Sequence, residues 1–184
     1  MFRVIGDNVD YCKNLSLLYL LFMYIHPPIE SGMDNAQLTQ KFYNAFSAAD
    51  AESMVSCYAD DIQFEDPAFG PLKGNDAKNM WRMLLKTPGI KITVSNIKAD
   101  EKTGSADWIA EYTFSLTGRK LINKVSAQFE FADGKITRHS DYFSFWKWAA
   151  QAFGIKGILL GWTPLMKNKV RQQALARLVK FKTA

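Results

Sequence analysis

The sequence predicts an α+β fold in which three helices pack on one face of a curved antiparallel sheet, followed by a C-terminal helical tail. Three observations lead to this prediction. Helix-type patterns come first along the chain, within residues 34–87. Strand-type alternation then follows within residues 90–145, and the turn dipeptide Asp133-Gly134 joins the last two strands as a hairpin. Helices followed by a meander of long antiparallel strands are typical of the α+β class.

Each of the three helices has a polar residue that can cap its first turn. Asp34 or Asn35 precedes the first helix, Asp50 precedes the second and Asn75 the third. Apolar residues recur at helical spacing after two of these caps. They are Leu38, Phe42, Ala45 and Phe46 in the first helix, and Met80, Trp81, Leu84 and Leu85 in the third.

The strands show period-two alternation, which places their apolar residues on one face. In residues 105–116 this face carries Trp108, Ala110, Tyr112, Phe114 and Leu116. In residues 124–131 it carries Val125, Ala127, Phe129 and Phe131. Because three short helices cannot cover such a sheet completely, we expect a cone-like pocket between helices and sheet.

Asp66 ends a short apolar row, since Ile62, Phe64 and Asp66 fall on the same face of a strand. Two interpretations are open. If the row faces a cavity, desolvation raises the pKa of Asp66 and makes it a better base near neutral pH. Alternatively, Asp66 accepts hydrogen bonds from the backbone of Ala68 or Phe69 and holds an Asx-turn.

His139 and Asp141 are two residues apart, so on a strand they share a face with Thr137, Phe143 and Phe145. In one interpretation the pair projects into the cavity among the two phenylalanines. In the other it is a solvated pair on the outer face of the sheet.

Composition and motifs limit the kinds of protein and of functional site that the chain can form. Hydrophobic residues make up 48% and charged residues 22% of the chain, which indicates a globular protein. The two cysteines form no CxxC pair and only two histidines are present, so we expect no metal; Cys57 is expected in the core. No phosphate-binding loop or GxSxG elbow occurs, and we expect no cofactor. The scarcity of cysteine favours a reducing compartment, hence a cytoplasmic protein.

Residues 1–32 differ in pattern from the rest of the chain and form a predicted N-terminal extension. The apolar run Leu15 to Ile25 is 11 residues long, whereas a membrane-spanning helix needs about 20. Two interpretations are open: a signal or anchor segment, or an upstream extension before a natural start at Met33.

The stretches "FYNAFSAADAESMVSCYADDIQFEDPAFGPLKGNDA" and "DGKITRHSDYFSFW" resemble the nuclear transport factor 2-like superfamily. The resemblance is to its SnoaL-like and ketosteroid-isomerase-like branch and covers roughly residues 38–146. It implies a cone-shaped α+β barrel with a deep cavity over residues 33–146, and a homodimer formed through the sheet. Members of the family include isomerases, polyketide cyclases, epoxide hydrolases, dehydratases and domains that only bind.

The resemblance also implies site residues. Asp66, in "EDP", is similar to the proton-shuttling aspartate of ketosteroid isomerases. Asp141, in "RHSDYF", is similar to the catalytic aspartate of SnoaL-like cyclases and limonene-type epoxide hydrolases, with His139 as its helper.

Several family positions are not matched. The tyrosine of ketosteroid isomerases falls on Phe42, one place from Tyr43, and their second acid falls near Ala127, so steroid isomerisation is not expected. The strand that carries further epoxide-hydrolase residues has only Glu111, which alternation places opposite Trp108.

Taken together, the residues and the resemblance predict a protein that binds a small, largely apolar molecule. Catalysis would be cofactor-free acid–base chemistry of the isomerase, cyclase or hydrolase type; the alternative is a non-catalytic binding or dimerisation module. The rings expected to line the pocket, or else to form plain core, are Tyr43, Phe64, Trp108, Tyr112, Phe129 and Phe143.

Residues 147–184 form a predicted basic, amphipathic helical tail, with eight Lys or Arg and no Asp or Glu. Val170, Ala174, Leu178 and Phe181 follow helical spacing. The tail could lie on an anionic membrane surface, aided by the apolar residues 157–162. It could instead pack on its own domain or on a dimer mate. Nucleic acid is not expected, because no binding motif accompanies the charge.

Overall fold

The computed structural model describes residues 34–183, so the predicted N-terminal extension lies outside the described residues. The helices are α1 (Asn35–Ser47), α2 (Ala51–Ser56), α3 (Asn75–Leu85), α4 (Phe145–Phe153), α5 (Ile155–Leu160) and α6 (Pro164–Lys182). The strands are β1 (Tyr58–Asp66), β2 (Gly70–Lys73), β3 (Lys91–Ala99), β4 (Thr103–Phe114), β5 (Arg119–Ala132) and β6 (Lys135–Tyr142).

The six strands form one curved, unclosed sheet in the order β2-β1-β6-β5-β4-β3, which confirms the α+β class. Every neighbouring pair is antiparallel except β1 and β6, which run parallel. The predicted meander of antiparallel strands therefore holds for β3 to β6, and β1 pairs with the last of these strands, β6. This pairing sets Phe64 of β1 and Phe129 of β5 on either side of His139 in β6.

Helix capping follows the sequence at two of three positions. The Asp34 carboxylate accepts a hydrogen bond from the Gln37 N–H at 2.7 Å, and the Asp50 carboxylate accepts one from the Ser53 N–H at 3.0 Å. The third helix differs from the prediction, because Gly74 is its cap and Asn75 is its first residue. Gly74 has φ +50°, a conformation that glycine adopts without steric cost.

The core lies between the inner face of the sheet and helices α1 to α3. Along β5, buried and exposed residues alternate as predicted, with Val125, Ala127 and Phe129 inward. Phe42 of α1 is fully buried and contacts the rings of Tyr58 and Trp81. Such large rings bury much apolar surface, which is the main favourable contribution to folding.

The tail packs on its own domain, one of the arrangements that its sequence allows. Helix α6 lies against α3. Two residues of its predicted helical stripe are buried: Leu178 joins the main core, and Val170 packs with Leu121 and Trp148. The Lys182 ammonium lies 2.6 Å from the Asp76 carboxylate at the end of this contact. Among the described helices, none combines the length and the apolar character that crossing a bilayer requires.

Candidate active site

A pocket of about 210 Å³ lies between α3, strand β4 and the C-terminal helices. Its wall is mostly apolar, and two carboxyl groups, Asp66 and Asp141, lie on it. An apolar cleft with a few convergent polar groups is the common form of a small-molecule site. The protein itself closes one side with its tail, because Val170, Ala174 and Arg177 of α6 also line the pocket.

Asp66 combines both interpretations that its position suggests. Its Oδ1 accepts hydrogen bonds from the N–H groups of Ala68, at 2.9 Å, and Phe69, so the Asx-turn is present. The turn reverses the chain into β2, where Asp66 pairs with Gly70. Burial nevertheless raises the pKa of Asp66. The bond from Phe69 lowers this pKa and the charge of Asp141 raises it, and the net value is about 6.

Asp141 is held by two N–H donors at a buried position. Its Oδ1 lies 3.1 Å from Trp108 Nε1 and 3.0 Å from His139 Nε2. Asp141 is 4% exposed and His139 is fully buried, so the alternative of a solvated pair on the outer face is wrong. Buried carboxylates need such partners, since desolvating a charge without them is costly.

The hydrogen bonds behind Asp141 continue through His139 into the core. Tyr58 Oη lies 2.6 Å from His139 Nδ1 and accepts a hydrogen bond from Trp81 Nε1 at 2.8 Å. Because the Tyr58 oxygen already receives the indole proton, its own proton can go to His139 Nδ1. His139 then carries its proton on Nε2 and donates it to Asp141, which satisfies every member of the chain.

Tyr112 adds a hydroxyl to the pocket wall. Its Oη accepts a hydrogen bond from Trp148 Nε1 at 2.8 Å, which leaves its own proton to donate. Burial raises the pKa of Tyr112, so the hydroxyl stays protonated at neutral pH. A neutral donor beside Asp66 and Asp141 suits the oxygen atom of a bound molecule.

The predicted site residues divide into two groups. Asp66, Asp141, Trp108, Tyr112 and Phe143 line the pocket. The others lie in the packed core next to it, and His139 reaches the pocket only through Asp141. These core residues are His139, Tyr43, Phe64 and Phe129.

Sequence reasoning missed Tyr58 and Trp81 as parts of this site. Tyr58 has the same parity along β1 as Ile62 and Asp66, so alternation could have placed it on the inner face. For Trp81, the spacing predicts only a place on an apolar helix face. Nothing local indicated that its indole N–H meets Tyr58, because the two residues are joined only by packing of α3 on β1.

Several solved structures share this fold. A candidate polyketide cyclase from Xanthomonas campestris is 21% identical, with a TM-score of 0.55 over 66% of this chain and 99% of its own. Another, from Pseudomonas putida, is 18% identical, with a TM-score of 0.56 over 65% and 98%. An LEH-like epoxide hydrolase of M. tuberculosis is 22% identical, with a TM-score of 0.52 over 71% and 93%. At these identities the likeness shows the shared fold.

Comparison with curated protein sequences found no match. The family model of the SnoaL-like domain matches residues 39–139, which is more than half of the chain. This range begins in α1, ends in β6 at His139, and contains Asp66 and most of the pocket wall. The chain therefore belongs to the SnoaL-like domain family of the nuclear transport factor 2-like superfamily.

Proposed function

We propose that the protein binds a small, largely apolar molecule in the pocket and carries out cofactor-free acid–base chemistry on it. The observation that carries this proposal is the pair of carboxyl groups on an apolar wall, one of them with a pKa near 6. A carboxylate with such a pKa is largely ionised at neutral pH yet basic enough to take a proton. Asp66 is accordingly the proposed general base.

Asp141 is the proposed second acid–base group, and His139 is a positioning residue behind it. Both hydrogen bonds to Asp141 end on Oδ1, which leaves Oδ2 to exchange a proton with the bound molecule. Tyr112 can donate to an oxygen atom that becomes negative in the reaction. This set suits an isomerase, a cyclase or a hydrolase, and the similar structures include a polyketide cyclase and an epoxide hydrolase by name.

The second candidate is a binding module without turnover. It is favoured because both carboxylates already accept hydrogen bonds within the protein. Asp66 accepts those of the Asx-turn, and Asp141 accepts the one from His139. In this alternative the same carboxylates stabilise the pocket wall and the molecule is only bound.

A substrate panel separates the two candidates. Small apolar epoxides and enolisable ketones are incubated with the full chain, and products are identified by gas chromatography with mass spectrometry. We expect turnover of at least one class, reduced at least about 100-fold in Asp141→Asn. Displacement of Nile red from the pocket should stay within about twofold, because the asparagine keeps the size of the side chain.

The matched control is Asp61→Asn, which removes an exposed carboxylate on β1. Its turnover should equal that of the wild type. If compounds displace Nile red but none is converted, the binding module is the correct function. If none displaces the dye either, the pocket is not a ligand site and the proposal fails.

The family often forms dimers, and we infer a homodimer through the outer face of the sheet. The exposed Ile122 and Tyr142 lie on this face, which agrees with that arrangement. The sedimentation coefficient of the full chain, compared with that of Ile122→Lys, tests this inference.

A further inference from the structure

A cluster of large apolar side chains is exposed at α5 and at the start of α6. Ile155 is 75% exposed, Leu159 63%, Trp162 73% and Leu165 77%. Ile158, 50% exposed, completes this surface, which we call the α5 patch. Single exposed apolar residues are ordinary on a protein surface, but a contiguous cluster of this kind marks an interaction site.

The outward direction of the α5 patch is imposed by two glycines. A Cβ atom on Gly157 would overlap the Ala149 carbonyl oxygen, and one on Gly161 would lie 2.9 Å from Ala149 Cβ. The glycine side of α5 is thus pressed against α4. At about 100° per residue, Ile155 and Leu159 fall on the opposite side of α5, and Trp162 follows in the exposed turn after the helix. The sequence therefore packs its smallest residues inward and its largest apolar residues outward.

The surroundings of the α5 patch are positively charged. Lys156, Lys167 and Lys169 are exposed and lie within four residues of its members. Residues 147–184 contain no Asp or Glu. This charge disfavours a second copy of the same surface as the partner, because like charges would face each other. An anionic lipid surface fits, since lysines attract the headgroups while tryptophan and leucine enter the boundary with the acyl chains.

We propose that the α5 patch docks the protein on an anionic lipid bilayer. Helix α6, which the sequence allows either on a membrane or on its own domain, packs on α3, and its residues Val170 and Leu178 are buried. The docking surface is therefore a short helix and a loop, not the amphipathic stripe of the tail. This inference does not depend on whether the pocket is catalytic.

Docking would also place the pocket near the bilayer. Phe153, at the end of α4, lines the pocket and is separated from Ile155 by one glycine. Leu116 also lines the pocket and is 60% exposed. Its turn is tied to α4 by a hydrogen bond of 2.8 Å from Thr117 Oγ1 to the Ala152 carbonyl. A lipophilic molecule could then pass from the bilayer into the pocket along an apolar path.

Co-sedimentation with lipid vesicles tests the docking. The full chain is mixed with phosphatidylcholine vesicles, with and without phosphatidylglycerol, at low and high salt. We expect binding to the anionic vesicles that weakens with salt. Affinity should fall at least about tenfold in Ile155→Gln/Leu159→Gln/Trp162→Gln and in Lys156→Gln/Lys167→Gln/Lys169→Gln. Residues 1–32 are the same in every variant, so any contribution from them is constant.

Two controls match these changes elsewhere on the surface. Val179→Gln removes an exposed apolar residue outside the α5 patch, and Lys41→Gln/Lys73→Gln/Lys102→Gln removes the same charge from other elements. Both should bind vesicles like the wild type. Absence of binding to anionic vesicles overturns the proposal, as does equal loss in the control and patch variants. A change of oligomeric state in the patch variant without vesicle binding identifies a second copy as the partner instead.

Discussion

Replacing Asp66 with asparagine is expected to lower turnover of any substrate found in the panel by about 100-fold to 10,000-fold, the usual contribution of a general base. Asparagine can still accept the backbone hydrogen bonds of the Asx-turn with its Oδ1, so the pocket wall should keep its shape. Nile red affinity should therefore change little. The wild-type kcat/KM should rise with pH up to about 6 and then level off, because the base must be ionised.

The matched control is Glu65→Gln. Glu65 is the neighbouring carboxylate on β1, but it is exposed on the opposite face and lies near Ser140. Its turnover and pH profile should equal those of the wild type. An Asp66→Asn variant that retains wild-type turnover would show that Asp66 serves the turn alone.

Asp66→Asn should also change how the free energy of unfolding depends on pH. The pKa of Asp66 is about 6 in the folded protein and about 4 in an unfolded chain, so between these values the folded state binds the additional proton. The contribution of Asp66 to stability therefore falls as pH rises from about 4 to about 6 and stays low above. The free energy of unfolding of Asp66→Asn, relative to that of the wild type, should therefore rise by about 2 to 3 kcal/mol as the pH increases from about 4 to about 8. Urea unfolding at both pH values measures this change.

Replacing His139 with alanine is expected to lower the free energy of unfolding by about 3 to 5 kcal/mol. The imidazole ring is fully buried, with its centroid 4.5 Å from that of Phe129 and 5.3 Å from that of Phe64, so its removal leaves a cavity. It also removes one of the two hydrogen-bond partners of Tyr58 Oη and one of the two of Asp141 Oδ1, and both atoms belong to buried residues. Urea unfolding at neutral pH measures the loss.

Two further variants isolate the causes. His139→Phe fills the space but breaks both hydrogen bonds, and should cost less than the alanine variant yet still about 1 to 3 kcal/mol. Arg138→Ala changes the next residue, whose exposed ion pair with Glu130 at 3.3 Å should contribute less than about 1 kcal/mol. If His139→Phe is as stable as the wild type, the buried chain from Trp81 to Asp141 contributes nothing to the fold.

Local pattern was sufficient for most of the fold. The inward residues of β5, the caps Asp34 and Asp50, and the shared face of Ile62, Phe64 and Asp66 all follow from spacing. The parallel pairing of β1 with β6 could not be predicted in this way, because it joins segments about 75 residues apart and has no local signal. Strand β2 was missed since it has only four residues.

The candidate site was predictable to a smaller extent. Alternation places Asp66 on the row of Ile62 and Phe64, but it leaves the face of Asp141 open and does not report depth. That His139 is sealed beneath Asp141 depends on Tyr58 and Trp81, which reach it from β1 and α3. Spacing predicts the stripe of the tail that carries Val170 and Leu178, but it does not predict what covers this stripe. Leu178 packs in the main core and Val170 packs with Leu121 and Trp148, which are distant in sequence.

The measurement that tests the account most directly is the titration of the Asp66 carboxyl group, followed by isotope-edited NMR of its carboxyl carbon and assigned with Asp66→Asn. A carboxyl group desolvated on the wall of an apolar pocket should titrate with a pKa of about 6. A pKa at or below about 4, the ordinary range of an aspartate, would contradict it, since Asp66 would then be a solvated turn residue without the basicity that the proposed chemistry requires.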